Sequence, residues 1–477
     1  MSSPPTSFYL ITCVAVASIS ALQFGYHSGV INQPREAMTN CSIVDERWPR
    51  DCVPMSDWQW GAFVSIFLLG GVFGGLSGGH LASMLGRRSS LLYTNIHFLL
   101  GAALLSFGTS FAVLCLGRLF IGIGAGTGTV VLPLYISEIS PAARRGLFGG
   151  VNQLSIVLGV LVSQIMGYSL SRPATWRILF MFTAVPCIIQ LWLLRYCVES
   201  PRWLVSQGDR IGARKALQTL RGCVDVDDEL TELLAVFNQL DDEFDVGSSG
   251  SLEPHSPLIS QESIVPLSTV ELFQTPSLVR PLAVAFGLQV AQQFSGINAA
   301  IYYSTTIFQQ SFDPETAIRL TTFVSVINLV GTLASTMVID RMGRKYMLLL
   351  SLLSMSLFAF GIVIAFQFDL SPLLMAVFLM CFVGGFSMGL GAIPWLIVPE
   401  LLPQAAIGSA SSICTALNWT SNLILAFFLP AAIAIAGYYV FLFFSMALLA
   451  FAIFTQLLMP ETKGKTPEEV ADSLDDL

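Results

Sequence analysis

Apolar residues fill most of this chain in stretches of about 20, separated by short segments that carry charges, glycines and prolines. A helix of about 20 apolar residues crosses about 30 Å of hydrocarbon, so each stretch predicts one membrane span. The pattern therefore predicts an all-α membrane protein. The approximate limits of its twelve spans are 8–32, 58–81, 89–110, 113–136, 147–169, 175–197, 278–308, 317–339, 346–367, 373–398, 406–431 and 436–459.

The first stretch begins within about ten residues of Met1, where a secretory signal would carry positive charge. Ser, Pro and Thr precede it instead, so a retained membrane helix is the favoured interpretation. Basic residues of the short loops set the orientation, because they collect on the cytoplasmic side. They predict cytoplasmic termini and include Arg87, Arg88, Arg144, Arg145, Arg341, Arg344 and Lys345.

A polar segment over residues 199–277 separates spans 6 and 7 and predicts two halves, 1–198 and 278–460, with a tail over 461–477. Its first part, "DRIGARKALQTLRG", has apolar residues at helical spacing and predicts amphipathic helices on the cytoplasmic face. Its next part, "DVGSSGSLEPHSPLISQES", has no apolar face to bury, which predicts disorder.

Internal repeats support the two halves. "SMLGRRSSLL" after span 2 returns as "DRMGRKYMLL" after span 8, with Gly86 and Gly343 separated by 257 residues. "YISEISPAARRG" after span 4 returns as "LIVPELLPQAAIG" after span 10, and Glu138 and Glu400 are 262 residues apart. Many secondary transporters are duplicated six-span bundles, with the substrate site in the cleft between them.

Composition excludes several classes of function. Of 477 residues, 54% are hydrophobic and 11% are charged, whereas about a quarter are charged in soluble domains. The net charge of −8 comes without a large basic patch, which argues against nucleic-acid binding. Metal clusters, nucleophile elbows and phosphate loops are missing from the sequence, so neither an enzyme nor a cofactor or metal site is predicted.

One stretch inside span 7, "AQQFSGINAAIYYST", carries several polar groups and no charge. An amide both donates and accepts hydrogen bonds, as a hydroxyl does, without the desolvation cost of an ion. Burying an amide without a partner costs about 2–7 kcal/mol, so these side chains require polar partners. Sugar, water and neighbouring amides all qualify.

The motifs "RLFIGIGAGTGTVVLPLYISEISPAARRG", "VESPRWL", "QQFSGINAAIYYST", "DRMGRK", "IPWLIVPEL" and "PETKGK" occur in an order that resembles the sugar porters of the major facilitator superfamily. "FGYHSGVINQP" makes the chain most similar to GLUT-type facilitative hexose carriers. The resemblance implies two six-helix bundles with a cytoplasmic helical linker, and hexose transport by alternating access in a monomer embedded in the lipid bilayer.

The resemblance also implies a sugar-contacting set, with span 7 broken and presenting three of its residues on one polar face. A neighbouring helix is the alternative partner for each amide. The set is Gln153, Gln292, Gln293, Asn298, Asn328, Trp395 and Asn422.

Charged residues at cytoplasmic span ends are similar to a family latch that holds the halves together and parts as the carrier opens inward. The alternative is that some of them serve only as topology signals. Ser83, Met84 and Ile407 replace charged residues of the family pattern, which predicts an unequal, weakened latch. The predicted set is Arg87, Arg88, Arg118, Glu138, Arg144, Arg145, Asp340, Arg341, Arg344 and Glu400.

The identity of the sugar and its coupling are less defined. Ser387 stands where hexose facilitators commonly carry glutamate, and "QVA" replaces "QLS" at Gln289–Ala291. Related symporters carry an aspartate after "FGY", and this chain carries His27. Facilitated diffusion is the favoured prediction. A proton-coupled sugar or polyol symporter that uses His27 is the alternative, and a sugar sensor is disfavoured because only 18 residues follow Met459.

The loop "CSIVDERWPRDC" has cysteines at both ends on the non-cytoplasmic side, so Cys41 and Cys52 are candidates for a disulfide. Asn40 and Ser42 form a glycosylation sequon there, whereas the sequon at Asn418 falls inside a span and is rejected. These features suit the plasma membrane or a vacuolar or endosomal membrane.

Overall fold

The computed structural model describes residues 7–39, 41, 52–141, 144–234, 267, 269–309, 311–465 and 469–470. Within this part of the chain, eleven helices are long and apolar enough to span a membrane. Adding the broken span 7 gives the twelve spans that the hydrophobic pattern predicts. Their observed bounds are Phe8–Gly29, Asp57–Leu85, Arg87–Phe107, Phe111–Ile139, Arg145–Leu170, Trp176–Tyr196, Val279–Phe294 with Ile297–Gln309, Pro314–Met342, Arg344–Gln367, Pro372–Met388 with Ile393–Leu401, Gln404–Ala436 and Val440–Leu458.

The bundle has two faces, named the linker side and the opposite side. The linker side is the face where span 1 begins and where the helices Pro201–Ser206 and Arg210–Arg221 lie. The opposite side carries the short helix Arg35–Thr39 and a disulfide between Cys41 and Cys52, whose Cα atoms are 5.5 Å apart. Asn40 and the stretch predicted to be disordered lie outside the described residues.

Span 7 breaks at Ser295 and Gly296. Gly296 has φ +85°, a left-handed conformation that residues with a Cβ adopt at a cost. Ser295 satisfies backbone groups on both sides of the break, because its hydroxyl donates to the carbonyl of Gln292 (2.7 Å) and accepts from the N–H of Ile297 (3.3 Å). Span 7 therefore consists of two half-helices that meet at membrane depth, neither of them long enough to cross alone.

Glycines let the spans of each half pack backbone to backbone, which is how helices associate where no water drives them together. A Cβ on Gly25 of span 1 would lie 1.9 Å from the carbonyl oxygen of Ile156 in span 5. A Cβ on Gly159 of span 5 would lie 2.1 Å from that of Leu22 in span 1. These two spans are consequently held at a fixed separation beside the cleft.

The repeat predicted from sequence recurs as matching helix caps. Spans 3 and 9 both begin after a glycine with positive φ, Gly86 (+87°) and Gly343 (+92°), and neither glycine offers a capping side chain. The carboxylate of Glu199 accepts from the N–H groups of Arg87 and Arg88 at 2.8 and 3.0 Å. In the second half, Glu461 accepts from the N–H groups of Arg344 and Lys345 at 2.9 and 3.1 Å. Burial raises the pKa of Glu199, and these N–H donors oppose that shift.

The linker is tied to both halves. Arg221, at the end of the predicted amphipathic helix, donates to the carbonyl of Ile139 at the end of span 4 (2.9 Å) and pairs with Glu229. Leu267 makes two hydrogen bonds to the start of span 11. Its N–H donates to the carbonyl of Ala405 (3.1 Å), and its carbonyl accepts from the hydroxyl of Ser409 (2.6 Å).

We expect Gly296→Ala to destabilise the protein by about 1–2 kcal/mol or more, because a left-handed residue with a Cβ carries that cost. Its Cβ would also lie 2.4 Å from the ring of Phe444. Gly384→Ala is the matched control, since that Cβ would make only an ordinary contact at 3.6 Å inside a helix. Thermal unfolding in detergent measures both variants, and equal unfolding midpoints would contradict this account of the break.

Candidate functional site

A cavity of about 690 Å³, including the space at its mouth, lies between the halves. That volume falls in the range of small-molecule sites, about 300–1,000 Å³. The first half contributes spans 1 and 5, and the second half contributes spans 7, 8, 10 and 11. All seven residues of the predicted sugar-contacting set line it, namely Gln153, Gln292, Gln293, Asn298, Asn328, Trp395 and Asn422.

The break in span 10 organises the second-half wall. The helix Pro372–Met388 ends before Ile393–Leu401 begins, and Pro394 has no N–H to donate to the carbonyl of Leu390. Gln292 supplies the missing donor, because its amide nitrogen lies 2.9 Å from the carbonyl oxygen of Leu390 and 3.0 Å from that of Gly391. One buried side chain of span 7 thereby donates hydrogen bonds to the carbonyls of span 10 at its break.

Further amides continue this network toward the cavity. The amide nitrogen of Asn418 lies 2.9 Å from the side-chain oxygens of both Gln289 and Gln292. Its oxygen accepts from the amide nitrogen of Gln293 at 2.9 Å. The oxygen of Gln293 in turn accepts from the amide nitrogen of Asn298. Gln293 and Asn298 thus end the network at the cavity surface, each with hydrogen-bonding capacity left over.

Other polar groups face the same space. The Oδ1 of Asn422 is buried and has no hydrogen-bond partner within the described part of the chain, so it is an acceptor available to a ligand. The Oδ1 of Asn328 accepts from the hydroxyl of Ser387 at 2.8 Å. Ser387, which departs from the family pattern, therefore positions an amide of the site.

Trp395 forms the boundary between this cavity and a second one of about 500 Å³ on the linker side. Its side chain lines both spaces, and the residue is 8% exposed. The second cavity is also lined by Arg145, Arg202 and Glu400. A solute crossing between the halves would have to pass this indole, which also offers a flat apolar face.

The second half carries a chain of charges on the linker side. Arg344 pairs with Glu400 at 2.9 Å and with Asp340 at 3.2 Å. Asp340 reaches the first half, where its carboxylate accepts from the N–H of Leu147 at 2.9 Å. That N–H belongs to the first turn of span 5, which lacks its own side-chain cap. The contact therefore joins the two halves.

The first half has a shorter counterpart. Arg87 pairs with Glu138 at 2.7 Å, with side chains 11% and 1% exposed. Ser83 takes the place of Asp340, and its hydroxyl donates within its own helix to the carbonyl of His80. Among the described residues, the bond that Asp340 makes to the other half therefore has no counterpart at Ser83.

Three predicted latch residues have other contacts. The guanidinium of Arg88 donates to the carbonyl of Leu194 (2.8 Å) within the first half. Arg144 occupies the N-cap position of span 5, with no capping bond from its side chain. Arg341 is exposed, and its carbonyl accepts from the ammonium of Lys463 (2.7 Å).

The prediction that Arg118 belongs to the latch is wrong. Span 4 runs from the opposite side to the linker side, and Arg118 lies two turns from its beginning, far from the latch. The side chain is buried, donates to the carbonyl of His27 (3.1 Å) and stacks on the ring of Phe67 at 4.3 Å. A charged residue near a span end shows which side of the membrane it lies on only when the turns before that span are counted. Arg118 follows a turn on the opposite side.

His27 points into the first half rather than into the cavity. It is fully buried, its Nε2 lies 2.9 Å from the hydroxyl of Thr183, and its ring stacks on Phe98. A protonated imidazole here would add a second buried cation beside Arg118, which is unfavourable.

Sequence comparison places this architecture in a known family. The sequence pattern described as "Sugar (and other) transporter" matches residues 13–474. The chain is 37% identical to facilitated glucose transporter member 3 of solute carrier family 2 from Rattus norvegicus, across 97% of this chain and 92% of that protein. It is 35% identical to member 1 from Gallus gallus, with the same coverage. The chain belongs to the sugar transporter family.

Solved structures agree with the fold of this transporter. The proton:xylose symporter XylE bound to 6-bromo-6-deoxy-D-glucose matches with a TM-score of 0.83 and 25% identity, over 98% of this chain and 99% of that chain. The inward-open conformation of XylE from E. coli matches with a TM-score of 0.69 and 25% identity, over 98% and 100%. The twelve-helix major facilitator fold follows.

Several residues that line or support the site are not predicted from the sequence. Asn418 is recognised there only as a sequon, although it precedes Asn422 by one helical turn and so shares its face. Trp419 of the second half packs against Phe24 of span 1, with ring centroids 5.1 Å apart. Glu199 carries a signal of its own, since it lies 262 residues before Glu461, the spacing of the recognised repeat.

We expect Gly146→Ala to weaken the contact between the halves. Its Cβ would lie 1.8 Å from the Oδ1 of Asp340, which must move away from the N–H of Leu147. Hydrogen bonds to charged groups contribute about 1.5–3 kcal/mol, so the balance between conformations should shift about tenfold or more toward the form open on the linker side.

Labelling of Ser137→Cys in the linker-side cavity by an impermeant maleimide, in a background without other accessible cysteines, measures that shift. Gly408→Ala is the repeat-related control, because that Cβ would meet nothing within 4 Å. Equal labelling rates in the two variants would show that the Asp340 contact does not hold the linker side closed.

Proposed function

We propose that this transporter carries a neutral hexose by alternating access, as a facilitated-diffusion carrier. The observation that carries the proposal is the cavity between the halves, whose polar lining is uncharged and consists mainly of amides. Amides match hydroxyls because both donate and accept, and a site without ions needs no counter-charge on its ligand. The relatives named as facilitated glucose transporters support a glucose-like monosaccharide.

The two cavities support a route for the sugar. Sugar would enter the amide-lined cavity from the opposite side and leave past Trp395 into the linker-side cavity. Separation of Asp340 from span 5 would open that exit, as alternating access requires. We propose that both termini are cytoplasmic, that the protein works as a monomer, and that it resides in the plasma membrane or in a vacuolar or endosomal membrane.

Proton symport is the alternative, since the structurally similar XylE is named as a proton:xylose symporter. A coupling residue must change its charge in step with sugar binding. His27 is buried on Thr183 beside Arg118 and does not line the cavity. This placement favours uniport over symport.

We expect Asn298→Leu to raise the KM for hexose about tenfold, because it removes a side chain whose oxygen and remaining N–H face the cavity. Uptake of radiolabelled hexoses into proteoliposomes measures KM, and thermal unfolding checks that the variant is folded. An unchanged KM would exclude Asn298 from sugar contact.

We also expect downhill hexose uptake that survives collapse of a proton gradient, both in the unmodified protein and in His27→Asn. The reason is that the cavity lining contains no group that ionises near neutral pH within the described residues. Concentrative uptake driven by an imposed pH gradient, and lost in His27→Asn, would establish symport instead.

A further inference from the structure

We propose that Asn418 is a positioning residue that fixes the direction of the Gln293 and Asn298 amides at the sugar site, an inference that rests on the proposed sugar-carrying function. Asn418 is 4% exposed and uses three polar contacts on three side chains of span 7. Its role follows from which of its partners can donate and which can only accept.

The orientation of the amide side chains is set first by the backbone of span 10. Carbonyl oxygens accept hydrogen bonds and never donate them, so Gln292 must turn its amide nitrogen toward Leu390 and Gly391. Gln289 must likewise turn its amide nitrogen toward the carbonyl of Pro394, at 2.9 Å. The side-chain oxygens of both glutamines are thereby directed at Asn418.

Asn418 has one orientation that satisfies these neighbours. Three oxygens face its NH2 group from one side: the side-chain oxygens of Gln289 and Gln292, and the carbonyl oxygen of Gln289 at 3.3 Å. The NH2 group must therefore lie on that side and donate to them. Its own oxygen is then left for Gln293, which must present its amide nitrogen. Gln293 in turn presents its oxygen to Asn298. Reversing any one amide would place oxygen against oxygen or N–H against N–H.

The result at the cavity is a fixed hydrogen-bonding pattern. Gln293 offers the sugar its second N–H, while Asn298 offers its oxygen and its second N–H. Neither amide is free to turn over and accommodate a hydroxyl of the wrong polarity. Asn418 thereby determines which hydroxyls are recognised as donors and which as acceptors, although its own bonds go to protein.

Asn418→Asp tests this with a side chain of nearly the same shape. A carboxylate only accepts, so it would oppose the oxygens of Gln289 and Gln292, whereas a protonated carboxyl restores one donor. We expect the KM for hexose to rise about tenfold at pH 7.5 and to fall back at pH 5.5, with a smaller change in maximal rate. The unmodified protein should show no comparable pH dependence of KM.

Asn95→Asp is the matched control. Asn95 is a buried amide of the first half that donates to the carbonyl of Leu91 and the side-chain oxygen of Gln190, both at 2.9 Å. This variant introduces the same buried acid away from the cavity, so its KM should not vary with pH. A KM for Asn418→Asp that is normal, or raised equally at both pH values, would overturn the proposal.

A double-mutant cycle tests the direction without sugar and so separates this proposal from the transport function. If the oxygen of Gln289 faces residue 418, Gln289→Met removes a repulsion, and the unfolding midpoint of Asn418→Asp should partly recover. If Gln289 instead presents its N–H, the same change removes a favourable bond and lowers the midpoint further, which would overturn the proposal. Failure of Asn418→Asp to fold at pH 7.5, without recovery at pH 5.5 or with Gln289→Met, would also count against it.

If the unmodified protein carried no hexose while the cycle showed recovery, the proposed function would fail and the assigned direction of the amides would stand. If it carried hexose and the cycle showed further loss, the function would stand and the role of Asn418 would fail.

Discussion

A polar group buried at membrane depth must have a partner, and much of the site depends on this constraint. Span 10 is interrupted at Gly389–Ala392, and Pro394 leaves the carbonyl of Leu390 without a helical donor. Gln292 supplies that donor, and a connected set of amides then extends to the cavity. The broken helices are thus stabilised by the same side chains that build the site. Hydrocarbon offers no alternative partner for either.

The two halves share one plan but use it unequally. Each has an arginine paired with a glutamate and a second glutamate that caps the neighbouring span. Asp340 of the second half bonds the other half, whereas Ser83 at the matching position bonds its own helix. A bistable contact made from one side rather than two is easier to open. A carrier must close its linker-side path and also release it.

His27 lies apart from the amides that line the cavity. Its imidazole bonds Thr183 and stacks on Phe98 in the first half, while Arg118 is bonded to its backbone. The sugar cavity is formed mainly by amides of the second half. Nothing charged therefore has to enter or leave the amide network when a neutral solute binds, and this arrangement is compatible with diffusion down a gradient.

The sequence alone determined the spans, the duplication and the seven residues around the cavity, because these follow from hydrophobic length, repeated motifs and family resemblance. Counting the spans from the first one also places Arg118 on the opposite side, because span 4 begins there. The sequence could not show that Asn418 connects Gln289, Gln292 and Gln293. Hydrogen-bond direction depends on distances between side chains on different helices, and only the packing of spans 7, 10 and 11 brings those amides within 3 Å.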